Sequence, residues 1–143
     1  MIRKAINSDI KKIYELGLRY DKSFDKHYHL ESYIDNDNYL INIYALDNKV
    51  IGFIICTKLI DTIEVQLIFI DEDYRNHGYA YELMKSIELD KFRIILEVSV
   101  ENVPAKGLYD KLGYEIISTR KGYYNGVDAL VMEKVIKWKM SIY

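Results

Sequence analysis

A chain of 143 residues, half of them hydrophobic and 29% charged, can bury one continuous core without disulfides or metal staples, so a single domain over 1–143 is expected and disorder is excluded. Its 20 basic and 22 acidic side chains leave a net charge of −2, which argues against a general nucleic-acid-binding surface. The longest apolar stretches, such as VIGFIIC at 50–56, fall far short of the roughly 18 residues of a membrane helix, and the amino terminus has no leader pattern; neither membrane nor nucleic acid is expected as a partner, and the cytoplasm is the expected location.

In chain order, IRKA (2–5) reads as a short strand. Asn7 or Ser8 can cap a following helix whose apolar residues Ile10, Ile13, Leu16 and Leu18 roughly keep helical spacing. Residues 21–38 are polar and aromatic with weak periodicity, which predicts a loop carrying one short helix around His29 to Ile34. YLINIYAL (39–46) and KVIGFIICTKLI (49–60) are strands joined by Asp47-Asn48, two residue types that tolerate a left-handed hairpin turn. IEVQLIFI (63–70) is a fourth strand, and a helix follows over about 78–90. RIILEVSV (93–100) is a fifth strand. The next helix, within 102–113, has Asn102 as N-cap, Pro104 in the first turn and Gly113 at its end. YEIISTRKGYY (114–124) and VDALVMEKVI (127–136) flank Asn125-Gly126, a strong hairpin signal. The order β-α-α-β-β-β-α-β-α-β-β predicts an α/β fold, a mixed sheet covered by helices.

The stretch DEDYRNHGYAYELM (71–84) sets Arg75, Gly78 and Ala80 where a strand turns into a helix. Unpaired N–H groups and a partial positive charge at a helix start bind phosphate. Small residues let an oxygen reach those amides, and an arginine can bond phosphate at two points. Alone, the pattern fits either a diphosphate site or a plainly capped turn. It lacks the Gly-Lys-Ser/Thr of a Walker loop and the full dinucleotide fingerprint.

RNHGYA, read with the downstream order, resembles the acceptor loop Q/R-x-x-G-x-G/A of the GNAT superfamily of acetyl-CoA-dependent N-acetyltransferases, and the resemblance spans nearly the whole chain. LEVSVENVPAKGLYDKLGYEIISTRKGYY followed by VDALVMEK resembles the RimI-type branch, which acetylates the terminal amine of a ribosomal protein, with Tyr114 in place of a phenylalanine. The resemblance implies acetyl-CoA as co-substrate. It implies that backbone amides of Arg75, Asn76, His77, Gly78, Tyr79, Ala80 and Tyr81 hold the diphosphate. The strand stretch Ile68-Phe69-Ile70, through main chain at Ile68 and Ile70, would pair with the pantetheine arm, and Asn102 would bond the same arm. Glu97 matches the family's base and Tyr109, which lies near the coenzyme thiol, its acid. Glu64, on a strand near the cleft, competes for the base role. Tyr123 and Tyr124 would line the acceptor entrance.

The chemistry asks little of such groups. Deprotonating an α-amine of pKa about 7.7–8.0 at pH 7 costs about 1 kcal/mol, against nearly 5 for a lysine near 10.4. A thiol leaves with a pKa of about 8.5, and a tyrosine near 10 can donate to it. Without the family match Tyr109 would read as core packing beside Ala105, Leu108 and Leu112, and Glu97 as a solvated strand residue facing away from Leu96 and Val98.

The other candidates weigh less. His27 and His29 form an H-x-H pair that nothing completes into a metal site, His77 is expected to face solvent, and Cys56 reads as a buried structural thiol. Gly107 weakens the helix that carries Tyr109, and residues 21–38 lack the Pro-Trp segment of RimI-type enzymes. The expected activity is acetyl transfer to a protein's terminal amine, by a monomer or homodimer. The rivals are acetylation of a small amine such as a polyamine or amino sugar, and a non-catalytic acyl-CoA sensor.

Overall fold

The computed structural model describes residues 1–88 and 93–136. Strand β1 (Ile2–Lys4) leads through a 3-10 turn at Asn7–Asp9 into helix α1 (Ile10–Tyr20). Neither Asn7 nor Ser8 caps this helix. Asp9 does the local work, accepting the Ile6 N–H at 2.8 Å while Arg3 grips both of its carboxylate oxygens at 2.7 and 3.0 Å. On α1, Ile13 and Leu16 are fully buried but Leu18 is 38% exposed; the fourth core position is Gly17, where a Cβ would lie 2.5 Å from the Phe24 ring.

Residues 21–38 hold two single-turn helices rather than one, α2 (Phe24–His27) and α3 (Leu30–Tyr33). Phe24 and Leu30 anchor them in the core. The Tyr14 hydroxyl ties them to α1, donating to Glu31 Oε1 at 2.6 Å and accepting the Leu30 N–H at 3.0 Å. Strand β2 (Tyr39–Leu46) turns through left-handed Asp47 and Asn48 (φ 49° and 64°) into β3 (Lys49–Lys58), and β4 (Thr62–Ile70) follows. A 3-10 turn at Glu72–Tyr74 precedes α4 (Tyr79–Ser86), then β5 (Arg93–Ser99) and α5 (Val103–Lys111). Residues 89 and 90 of the helix expected over 78–90 lie outside the described residues. Asn102 caps α5 through the Ala105 N–H at 3.2 Å, and Gly113 leaves it at φ 90°. Strands β6 (Glu115–Tyr124) and β7 (Val127–Val135) meet at Asn125-Gly126, both left-handed.

The seven strands form one mixed sheet in the order β1-β2-β3-β4-β5-β7-β6, in which only β4 and β5 run parallel. Alternation along the strands sends side chains to two faces. Ile43, Phe53, Ile55 and Phe69 pack against α1, α2 and α3, while Ile54, Leu83, Met84, Leu96, Tyr109 and Leu112 fill the space under α4 and α5. Cys56 is fully buried, and that burial pushes its thiol up, out of the range of a nucleophile.

The β4/β5 pair is short, with Thr62, Ile63 and Glu64 opposite Arg93, Ile94 and Ile95 and nothing beyond. Opposite Ile55 and Cys56 of β3, strand β4 supplies Leu67 and Val65, so Gln66 is one residue too many and forms a bulge. A bulge bends its strand and increases the local twist. From Val65 onward β4 therefore leaves β5, and the sheet opens along its middle.

Candidate active site

Opening the sheet gives β4 a free edge. Asp71 N–H reaches Ile51 O at 2.7 Å and the Phe69 carbonyl lies beside Gly52, so the main chain of Phe69 and Asp71 is turned toward β3. By strand alternation the main chain of Ile68 and Ile70 faces the gap. Phe69 thus stands apart from its two neighbours: its ring is buried against Phe53 and its main chain is used inside the sheet. At Ile70 the carbonyl already accepts Arg75 Nε at 2.9 Å.

Where β4 ends, the chain makes two left-handed steps, Asn76 at φ 65° and Gly78 at φ 82°. Among the described residues the N–H groups from Asn76 to Tyr81 make no hydrogen bond. Amides exposed by alternating backbone hands at a helix start form a concave anion site. Nothing lies within 4 Å of where a Gly78 Cβ would be, so the space over the helix tip is open. Arg75 is held at its base by Ile70 O and lies 5.6 Å from the Phe69 ring centroid, with its two terminal nitrogens unbonded among the described residues. His77 is exposed, as expected, with its ring stacked on Tyr79 at 5.6 Å and Nδ1 3.2 Å from Tyr74 O. Tyr79 packs on Tyr44, whose hydroxyl donates to Glu82 Oε2 at 3.0 Å, fixing α4 to β2.

The gap widens into a cleft of about 250 Å³ lined by Glu64, Gln66, Glu97, Tyr123 and Tyr124. Glu64 lies opposite Ile95 on the parallel strand, and Glu97 is two residues on from Ile95, so both carboxylates share one face of the sheet. The structure brings both proposed bases to the same cleft but treats them differently. Glu97 Oε1 accepts Arg120 Nη1 at 2.6 Å, whereas Glu64 accepts no hydrogen bond among the described residues. Arg120 also stacks on Tyr123, 4.0 Å from its centroid, and Tyr123 meets Tyr124 edge to face at 5.0 Å. Burial, then the Glu97 charge, pushes the Tyr124 phenol up. Two cleft residues escape sequence reading. Arg120 had a signal in its place before Lys-Gly-Tyr-Tyr on an alternating strand; Tyr28, whose hydroxyl donates to Gln66 O at 3.4 Å, had none, because the bulge it meets leaves no mark in the sequence.

Tyr109 comes from the opposite face. Its ring is buried under α5, 5.8 Å from Tyr114, yet its hydroxyl has no hydrogen-bond partner among the described residues and, unlike that of Tyr114, is not sealed from solvent. Burial first, and then the phenols of Tyr124 and Tyr20, push it up to about 12. A tyrosine near 10, expected from sequence, is therefore corrected upward. Tyr124, which lines the cleft, and Tyr20, which packs on Phe69, lie on the carboxylate side of the sheet. Asn102 is exposed beside it with Oδ1 used in capping, which leaves its amide nitrogen unbonded. His27 pairs loosely with Asp21 at 3.8 Å, and among the described residues no three His, Cys, Asp or Glu side chains lie together as metal ligands. No helix among them is long and apolar enough to cross a membrane.

The sequence profile of the Acetyltransferase (GNAT) family matches residues 7–114. A Bacillus subtilis protein provisionally named a [ribosomal protein bS18]-alanine N-acetyltransferase is 30% identical over 92% of each chain. An N-alpha-acetyltransferase of Saccharolobus solfataricus is 29% identical over 93% of this chain and 91% of its own. The crystal structure of the ribosomal-protein-S18-alanine N-acetyltransferase from Escherichia coli superposes with a TM-score of 0.83 at 23% identity, covering 100% of this chain and 98% of the other, and so shares the fold.

Proposed function

We propose that this chain, which belongs to the GNAT acetyltransferase family, moves the acetyl group of acetyl-CoA onto the terminal α-amino group of a protein by direct attack in a ternary complex. The donor is acetyl-CoA and the chemistry is N-acetyl transfer, as the family and the relatives' names indicate. The observation that carries the finer reading is the opened sheet, with unbonded amides at one end of the gap and a two-carboxylate cleft beside it.

In this reading the amides of residues 76–81 and the Arg75 fork hold the diphosphate, while the Arg75 N–H, expected to join them, instead donates to Glu72 O at 3.4 Å. The pantetheine arm lies along β4 at Ile68 and the Ile70 N–H, and the Asn102 amide nitrogen meets it; Phe69 acts only by supporting that edge. The acceptor amine enters past Tyr123 and Tyr124. Glu97, or Glu64 in its place, takes the ammonium proton, directly or through a water, and the free amine attacks the thioester carbonyl; the tetrahedral adduct expels the coenzyme thiolate, and its nitrogen loses a second proton to solvent to leave the neutral amide. As the carbon–sulfur bond breaks, the Tyr109 hydroxyl donates a hydrogen bond to the sulfur. Positioning of the two reactants and amide donors at the developing oxyanion supply much of the rate. A ribosomal acceptor in the relative's name supports work in the cytoplasm, and the proposal takes the enzyme to act there as a monomer or homodimer.

The experiment is coenzyme A release from the full chain with acetyl-CoA and a panel: peptides with free amino termini, an amino-terminally blocked lysine peptide, a polyamine and an amino sugar. Turnover confined to free amino termini, with the acetyl group located there by mass spectrometry, supports the proposal. Turnover of the polyamine or amino sugar alone refutes the acceptor, and tight acetyl-CoA binding with no turnover refutes the enzyme.

A further inference from the structure

One charged residue of the VDALVMEK stretch has no part in the roles above. Asp128 is the second residue of β7 and is one-third exposed. Its surroundings follow from an irregularity in β6. Arg120 lies opposite Ala129 and Tyr124 opposite Val127, so four steps along β6 face two along β7. Residues 121–123 are therefore pushed out of the ladder, with Gly122 left-handed at φ 62°. The Gly122 N–H loses its strand partner, and an unpaired main-chain donor on an edge strand would let the segment fray.

Asp128 supplies the missing partner. Its Oδ1 accepts the Gly122 N–H at 2.9 Å, and its Oδ2 lies 3.5 Å from Lys121 Nζ. The Gly122 N–H, and then Lys121, hold the carboxyl below the usual carboxylate range. The Gly126 N–H donates to Gly122 O at 3.3 Å and closes the turn. In the other direction the Asp128 carbonyl accepts the Val100 N–H at 3.0 Å, just past the end of β5. One residue thus joins the strand that carries Glu97 to the bulge that presents Arg120, Tyr123 and Tyr124, and Arg120 closes the circuit on Glu97.

We infer that Asp128 is a positioning residue for the acceptor: by pinning the Gly122 bulge it fixes the aromatic wall of the cleft and sets acceptor affinity without touching acceptor or coenzyme. The inference rests on the proposed acceptor reading. Asparagine keeps an Oδ1 for Gly122 and loses only the pair to Lys121, a side chain 87% exposed; such exposed pairs contribute little. Alanine loses both bonds.

Full-length wild type, Asp128→Ala and Asp128→Asn are compared with acetyl-CoA and a peptide carrying the amino-terminal sequence of a bS18 protein. Asp128→Ala is expected to raise the peptide KM at least about tenfold while kcat and the acetyl-CoA KM stay within about twofold, and Asp128→Asn to stay within about threefold of wild type throughout. Amide hydrogen exchange across residues 120–126 should quicken at least about tenfold in the alanine variant and not in the asparagine variant. An unchanged peptide KM in the alanine variant, or both KM values and the melting temperature moving together, overturns the inference. Should wild type leave the peptide unacetylated, the acceptor assignment is what fails; the exchange data then decide alone, and equal exchange in alanine variant and wild type overturns the clamp.

Discussion

Replacing Tyr109 by phenylalanine removes one oxygen and keeps the ring that packs between α5 and the sheet. The Tyr109 hydroxyl sits at about 12, whereas a thiol leaves with a pKa near 8.5, so full proton transfer to the departing sulfur would run uphill by about 3.5 units, or about 5 kcal/mol. That is too steep for the main route. In the proposed mechanism the hydroxyl acts instead as a hydrogen-bond donor to charge growing on sulfur, and a hydrogen bond to a charged partner contributes about 1.5–3 kcal/mol. Tyr109→Phe should therefore lower kcat by about 10- to 150-fold, with the acetyl-CoA KM within about twofold. Coenzyme A release followed with a thiol reagent, at saturating acetyl-CoA and peptide, reads both values. A kcat within about threefold of wild type removes Tyr109 from the reaction. The same shift has a stability signature. Because burial disfavours the phenolate, a phenol raised from 10 to about 12 on folding leaves stability intact below about pH 10 and lowers it as pH rises toward 12, by about 3 kcal/mol at most. Denaturant midpoints of the phenylalanine variant should fall less steeply over pH 10–12 than those of wild type.

Gly78→Val puts a β-branched side chain at φ 82° and into the open space above the amides. Left-handed backbone costs an ordinary residue about 1–2 kcal/mol, so calorimetry should find a modest stability loss and acetyl-CoA binding weakened at least about tenfold; unchanged binding would move the diphosphate elsewhere. Glu97→Gln should lower kcat/KM at least about tenfold at pH 7 and less at pH 9, where an α-amine has already lost its proton, while Glu64→Gln costs under about threefold; the reverse ranking would assign the base to Glu64. Gly107→Ala adds a methyl that meets nothing within 4 Å on the exposed side of α5. It should raise stability by up to about 1 kcal/mol and the melting temperature by a few degrees, with kcat unaltered.

Sheet limits were legible where the chain must turn back within two residues. Asp47-Asn48 and Asn125-Gly126 supply left-handed backbone cheaply, and both hairpins form where those pairs stand. Asn102 and Gly113 bound α5 for equally local reasons. Within residues 21–38 the turn at Leu30–Tyr33 stands where a short helix is expected, but the turn at Phe24–His27 was not legible, because it is held from outside by Phe24 lodged against Gly17. The start of α1 was misread for a related reason: three adjacent residues, Asn7, Ser8 and Asp9, can each cap, yet the helix has no side-chain cap, because Arg3 on the neighbouring strand and the Ile6 N–H take up the Asp9 carboxylate. At the site, each side chain type was readable but not its partners. Glu64 and Glu97 are 33 positions apart, and they share one cleft because parallel pairing sets Glu64 opposite Ile95, two residues before Glu97, where the bulge at Gln66 then opens the sheet. The upward shift of Tyr109 depends in the same way on burial, which no spacing of residues reveals.

The opened sheet also explains why one cleft can suit an α-amine in particular. In the proposed mechanism, separating β4 from β5 lets groups from the two faces act on one bond, with carboxylates on the α1 side and the Tyr109 hydroxyl on the α5 side. The Glu97 carboxylate is already bonded to Arg120, and the phenol, pushed up to about 12 by burial, is too weak an acid to give up its proton to a thiolate. At pH 7 deprotonation costs about 1 kcal/mol for an α-amine and nearly 5 for a lysine, so the proposed terminal acceptor asks far less of either carboxylate. On that reading Tyr123 and Tyr124, which line the cleft beside both carboxylates, are left to decide which terminus is admitted.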